Sequence, residues 1–269
     1  MSVLKWDQVG ERLYQTGVKK GVLYPQANKA YPKGVAWNGL TGFTESPDGA
    51  EANDIYADDI KYLSIRSTEN FKCTISAYTY PDEFAECNGE ATLMDGVTIG
   101  QQPRKPFGFS CVTTIGNDTE FDDHGYIIHL VWGASASPSE EDHQTINDSP
   151  EAIEFSWEID TIPVAVDIPG TKYKATAHME INSTKATDAQ MKAIEAVLYG
   201  TENAEPRLPL PGEVVSIMQS ASGGYVEFEG TEFTAGTTYY ERSGTAGNYI
   251  YTPTSDSTYD PQKTYYILS

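Results

Sequence analysis

Positive charge is scarce in this chain. Lys and Arg number 18 among 269 residues, against 39 Asp and Glu, for a formal net charge of −21. Proteins hold nucleic acid largely through cation–phosphate pairing, so a DNA-binding role in the usual sense is excluded as an expectation. Cysteine is nearly absent as well. Cys73, Cys87 and Cys111 make an odd number without metal-ligand spacing, which argues against a disulfide framework and for small buried side chains in a reducing compartment. Long apolar runs are missing: no segment nears the roughly 20 apolar residues of a membrane span. The opening Met1–Asp7 carries no stretch of signal-peptide length. These features predict a chain made in the cytosol that leaves it only inside a particle, with no membrane partner.

Catalytic signatures are equally sparse. There is no P-loop, no dinucleotide fingerprint and no basic patch, and no cofactor is expected. The run Gly108-Phe109-Ser110-Cys111-Val112 resembles a nucleophile elbow without its closing glycine. It falls in an alternating stretch, so Ser110 reads as an outward strand residue. His124, His129, His143 and His178 show no HxH or HExxH spacing, and no metal site is predicted. His129 reads as a satisfied interior imidazole. Carboxylate pairs such as Asp122-Asp123 and Glu140-Glu141-Asp142 sit in hydrophilic, turn-like surroundings and suit solvated surface better than a glycosidase pair. Asp48-Gly49, Asn53-Asp54 and Asp58-Asp59 do not match a calcium loop. The acceptor patterns at Asn117, Asn147 and Asn182 carry little weight without a secretion signal. The chain is not expected to be an enzyme.

What the sequence has is strand and turn chemistry. It holds 18 Tyr, 23 Gly and 15 Pro, a mixture that favours sheets over helical bundles. Short strands are predicted within 12–24, 60–66 and 71–80, and a central one at 126–132. Strict alternation marks 107–115, 153–160 and 173–181, with Phe107, Phe109, Cys111, Trp157, Ile159, Ala177 and Ile181 among the core-facing positions. A long polar loop is expected over 38–60, of the kind that is functional or ordered on docking. One helix is convincing, at about 187–199. Thr187 and Gln190 form its capping box, Met191, Ile194, Val197 and Leu198 its apolar stripe, and Gly200 its stop. Pro206, Pro209 and Pro211 suggest a boundary, giving domains 1–211 and 212–269. The second is Tyr-rich and weakly repetitive, since Phe233, Tyr239 and Tyr240 return as Tyr259, Tyr265 and Tyr266.

Acid is concentrated in one place. From Pro106 to Thr171 there are 13 Asp or Glu and no Lys or Arg. Asp118, Glu120, Asp122, Glu154, Glu158 and Asp160 lie on or beside strands there. They are candidates for a wall that faces a polyanion without holding it, set against the simpler reading of a solvated face.

Several stretches resemble the major tail proteins of long-tailed phages of Gram-positive hosts. They are residues 10–24, from Gly10-Glu11-Arg12 to Val22-Leu23-Tyr24, and Trp37-Asn38-Gly39-Leu40-Thr41 running into Ser46-Pro47-Asp48-Gly49-Ala50-Glu51 and Ile55-Tyr56-Ala57-Asp58. Tyr80-Pro81-Asp82-Glu83-Phe84, Gln102–Gly108 and Leu208-Pro209-Leu210-Pro211 follow in order. The resemblance implies a mainly β, sandwich- or barrel-forming tail-tube fold with one flanking helix. It implies six subunits closing a ring, and rings stacking into a tube around a tape-measure protein. Tail terminator and baseplate or distal tail proteins would close its ends, and DNA would pass through an acidic bore. An inter-ring loop is expected to include Thr44, Pro47, Asp48, Gly49, Asp54 and Tyr56. The other reading is an adhesion or carbohydrate-binding role, with Tyr225, Tyr239, Tyr240, Tyr249, Tyr251, Tyr265 and Tyr266 stacking on sugars.

Overall fold

The structure, a computed structural model, describes residues 3–141, 143, 145, 152–168, 171–221, 225–228, 230–234, 237–245, 248–254, 256 and 258–268. Asp142, Asn147 and the side chains of Tyr225 and Tyr249 lie outside these residues. Among the described residues the fold is mainly β with two α-helices, its β content as the turn-rich, aromatic sequence predicts.

The main sheet is assembled from β1 (Tyr14–Pro25), β2 (Val35–Trp37), β3 (Leu40–Glu45), β6 (Lys72–Ala77), β9 (Phe107–Asn117), β10 (Phe121–Ala136), β11 (Phe155–Thr161) and β12 (His178–Asn182). Its order is β2-β1-β9-β10-β11-β6-β3, every pairing antiparallel, with β12 also on β10. The sheet curls so that both ends share one core. Leu23 of β1, Trp37 of β2, Ile75 of β6, Phe109 of β9, Val131 of β10 and Trp157 of β11 are all buried in it. Around Trp157, the rings of Trp37, Tyr80 and Phe84 meet edge-on at 5.1–5.5 Å, the geometry their quadrupoles favour.

A second core occupies the opposite face. Helix α1 (Asp188–Tyr199) lays Met191, Ile194 and Leu198 against Val112, Ile128, Leu130 and Trp132. Its capping box is complete: Gln190 N–H donates to Thr187 Oγ1 at 3.3 Å, and Thr187 N–H donates to Gln190 Oε1 at 2.9 Å. Because helices cover this face, Ser110 is fully buried rather than outward; its hydroxyl lies 3.2 Å from that of Tyr24. The Tyr24 hydroxyl donates to the Leu198 carbonyl at 2.9 Å, tying the end of α1 to the sheet.

β10 changes partner midway. Ile127–Val131 pair with β12, and Ala134–Ala136 pair with β11. Gly133 sits at the switch with φ +61, and an added Cβ there would strike the Ile162 carbonyl, so only glycine serves. The switch also shortens the strand expected over 173–181. Above His178 the edge of β10 is already occupied, so Tyr173 stays outside the sheet and 67% exposed.

Two other expectations are corrected. The polar stretch 38–60 is not an irregular loop. It contains β3, then β4 (Ala52–Ala57), which pairs with β5 (Ile60–Arg66). The prolines near 209 do not end the first unit either. Pro211 opens a second helix, α2 (Pro211–Ala221), because proline has no N–H to lose at a first helical position. Val214, Ile217 and Met218 of α2 belong to the helix-side core.

Beyond α2, β13 (Tyr225–Glu227), β14 (Tyr240–Thr245), β15 (Asn248–Pro253) and β16 (Tyr265–Leu268) form a separate sheet in the order β13-β16-β14-β15. The sequence repeat has a structural counterpart: its equivalent residues Tyr240 and Tyr266 face each other across β14 and β16. A short hairpin, β7 (Ala91–Met94) with β8 (Val97–Ile99), completes the strands.

Candidate functional site

β3 and β6 do not stop at the edge of the main sheet. Ser46 N–H donates to the Lys72 carbonyl, Asp48 and Asn70 exchange backbone hydrogen bonds at 2.7–2.8 Å, and Ser67 N–H donates to Glu51. The ladder then passes into β4 and β5, so residues 40–77 form one long arm rooted in the sheet. Asp58 and Asp59 turn its tip with φ of 51° and 61°, the two left-handed positions of a type I′ hairpin. Lys61 pairs with Asp54 at 2.8 Å, and Ser64 donates to the same carboxylate at 2.6 Å; Lys61 is the larger cause of its lowered pKa.

The tip carries apolar side chains without a core. All seven residues of β5 are exposed. Tyr56 and Tyr62 are each 67% exposed and Ile60 63%, with Ile55, Leu63 and Ile65 also open. A lone two-stranded hairpin is marginal in water, and an apolar edge of this kind invites pairing with another chain. Five of the six expected inter-ring residues belong to the arm beyond its root. Pro47, Asp48 and Gly49 lie where it leaves the sheet, with Asp48 bridged to Lys72 at 3.4 Å, and Asp54 and Tyr56 lie on β4. Thr44 sits within β3, paired with Thr74.

The six nominated acids do not form one wall within the chain. Asp118, Glu120 and Asp122 cluster at the β9–β10 turn, and each has a local partner. Gly10 N–H donates to Asp118 at 2.8 Å, His124 lies 2.6 Å from Glu120, and the Tyr14 hydroxyl donates to Asp122 at 2.9 Å. Glu154, Glu158 and Asp160 lie on or beside β11, which pairs with the opposite end of the 16-residue β10. Glu154 is contacted by the Thr41 hydroxyl, and Asp160 is bridged to Lys72 at 3.2 Å. Alternation puts these three acids and Ser156 on the side of β11 away from Trp157 and Ile159, beside Thr74 and Ser76 of β6. That face is polar and open.

Three of the described tyrosines of the C-terminal unit pack into its interior. Tyr239, Tyr265 and Tyr266 are buried, and Phe233 stacks on Tyr239 at 4.0 Å and meets Tyr265 edge-on at 4.8 Å. These rings serve as a core and offer little face to a sugar. The three thiols are buried too, and burial pushes those of Cys73 and Cys87 up to about 12.

Sequence spacing concealed one constellation. Glu45, His129, His178 and Glu180 converge at the margin of the sheet-interior core, brought from three strands by the topology. His129 faces Cys111 across β9 and Glu180 across β12. Its Nδ1 lies 3.1 Å from Glu45 Oε1 and 3.7 Å from Glu180 Oε1, and His178 Nε2 lies 3.4 Å from the same Glu45 oxygen. Burial lowers the pKa of both imidazoles, that of His178 to about 4, so both are neutral at pH 7. Burial, then the charge of Glu180, raises the pKa of Glu45.

Comparison with known proteins adds nothing to this picture: no family model and no curated protein matches the chain. Among the described residues, no helix is long and apolar enough to cross a membrane.

Proposed function

We propose that this chain is a structural, non-enzymatic subunit that polymerises as stacked, hexameric rings into the tail tube of a long-tailed bacteriophage, with an acidic channel for DNA. The observation that carries this reading is the projecting arm, whose apolar tip has no core of its own. A subunit that presents such an arm to a different surface of the next copy makes a head-to-tail contact, and repetition of that contact gives rings or filaments rather than closed dimers. The resemblance of the ordered motifs to those of major tail proteins implies the ring number and the partners: a tape-measure protein inside, and terminator and baseplate proteins at the ends.

In this arrangement the open face bearing Glu154, Glu158 and Asp160 lines the bore, and the acids of the β9–β10 turn have a structural role instead. Like charge gives passing DNA no counterion-release gain, so it slides without sticking. The test is replacement of residues 52–66 by a short Gly-Ser turn, which removes the tip and leaves β3 and β6 paired. The variant stays folded by circular dichroism and fails to pellet as tubes when mixed with tube seeds. Tubes of normal length from this variant would refute the proposal.

A further inference from the structure

We propose that Glu45, His129, His178 and Glu180 bind one divalent transition-metal ion, zinc by the character of the ligands, as a clip between the root of the arm and the main sheet. Two neutral imidazoles with two carboxylates is a donor set that suits zinc. The spacing suits it as well. A tetrahedral ion with bonds of about 2.0–2.2 Å needs ligand atoms about 3.3–3.6 Å apart. Three of the six ligand–ligand separations are 3.1, 3.4 and 3.7 Å, and one atom from each of the four residues falls within 4.8 Å of all the others.

The independent sign of a ligand is the state of the histidines. The His129 side chain is only 6% exposed, yet no hydrogen bond reaches its Nδ1; the Glu45 oxygen at 3.1 Å lies outside hydrogen-bond geometry. Nε2 of His178 is likewise buried and makes no hydrogen bond. Buried polar atoms of this kind cost free energy unless something satisfies them, and a cation among the four side chains satisfies both at once. The rings are already held in place. The Thr113 hydroxyl lies 2.9 Å from His129 Nε2, so an Nε2–H tautomer donating to Thr113 leaves the Nδ1 lone pair directed at the site. His178 is stacked between Phe71 at 4.4 Å and His129 at 5.7 Å.

Four protein ligands fill a tetrahedron and leave no position for substrate, so the ion is structural. Glu45 ends β3 where the arm departs, His129 lies on β10, and His178 and Glu180 lie on β12. Glu180, about half exposed, gives the ion a path from solvent.

The test uses untagged full-length protein, stripped with a chelator and titrated with Co2+ and then Zn2+. A single Co2+ per chain is expected to give the intense visible absorption of four-coordinate cobalt, and Zn2+ to displace it. His178→Gln and Glu45→Gln abolish that absorption. Thr113→Val, which removes the hydrogen bond that orients His129 and touches no ligand atom, weakens Co2+ binding about 10- to 100-fold while the metal-free protein keeps its native circular dichroism. No four-coordinate spectrum from natively folded wild-type protein would overturn the proposal, as would a spectrum unchanged in both ligand variants.

Discussion

The arm tip allows a quantitative test of assembly. Ile60 and Tyr62 flank Lys61 at the start of β5, where the pairing with β4 slips by one residue, and they are 63% and 67% exposed in the single chain. Complete burial of a large apolar side chain is worth roughly 1.5–3 kcal/mol. Covering the exposed two-thirds of each against a neighbouring subunit therefore contributes about 1–2 kcal/mol, or about 2–4 kcal/mol for the pair. At 1.4 kcal/mol per decade, changing both to Ser raises the critical concentration for elongation about 30- to 700-fold. The subunit itself should hardly notice. Neither residue belongs to either core, so its unfolding free energy changes by no more than about 0.5 kcal/mol. The assay is sedimentation of tubes grown from sheared seeds over a range of subunit concentrations, with chemical denaturation of the same preparations. Unchanged critical concentration in a stably folded variant refutes the reasoning, because it means the tip is not covered when subunits join.

Other expectations concern the folded chain and the proposed bore. Trp132→Phe removes the indole N–H that donates to the Pro209 carbonyl at 2.9 Å in the helix-side core, and should cost about 1–3 kcal/mol in denaturant unfolding. Thr187→Ala breaks the capping box of α1, for about 1 kcal/mol and a lower Tm. The thiols give a pH dependence. Cys73 and Cys87 are raised from 9.0 to about 12 in the fold, so their contribution is whole below pH 9.0 and is lost as pH climbs towards 12, where unfolding releases protons. Stability should fall over that alkaline window, and native protein should resist a thiol reagent at about pH 8 until it unfolds. Reversing Glu154 and Glu158 to Lys should leave tubes intact and slow DNA ejection, measured by single-particle release; ejection at the normal rate through intact tubes would speak against the β11 face as the lining.

Much of the fold was legible because it follows local rules. The alternation around Trp157 and Ile159 marked β11, and the Thr187–Gln190 box with its apolar stripe marked α1 to within a residue. The errors have physical causes. Alternation in β9 implied one wet face, but helices that the strand's own sequence does not announce cover it and bury Ser110. The stretch 38–60 reads as a loop because it is polar and rich in turn residues and its hairpin turns on Asp58-Asp59 rather than on Asn-Gly, whereas its partner β5 reads as a strand. Helix α2 is hard to read from sequence because a proline signals a terminator unless it stands at a first turn, although Val214, Ile217 and Met218 carry helical spacing. The His–Glu cluster was beyond any motif search. Its members stand at 45, 129, 178 and 180, and only the curl of the sheet brings β3 against β10 and β12. The acidic stretch, continuous in sequence, divides between the two ends of β10 because a strand of 16 residues carries its termini far apart.

Electron cryomicroscopy of the full-length chain assembled from seeds, at a resolution that traces β4 and β5, bears most directly on the idea that this subunit completes itself by joining copies of itself. The expected image is a hollow tube of stacked rings, with the tips of residues 52–66 lodged on the adjacent ring and the β11 acids facing the bore. A population of single subunits at every concentration, or a tube whose arm tips stand free in solvent, would contradict it.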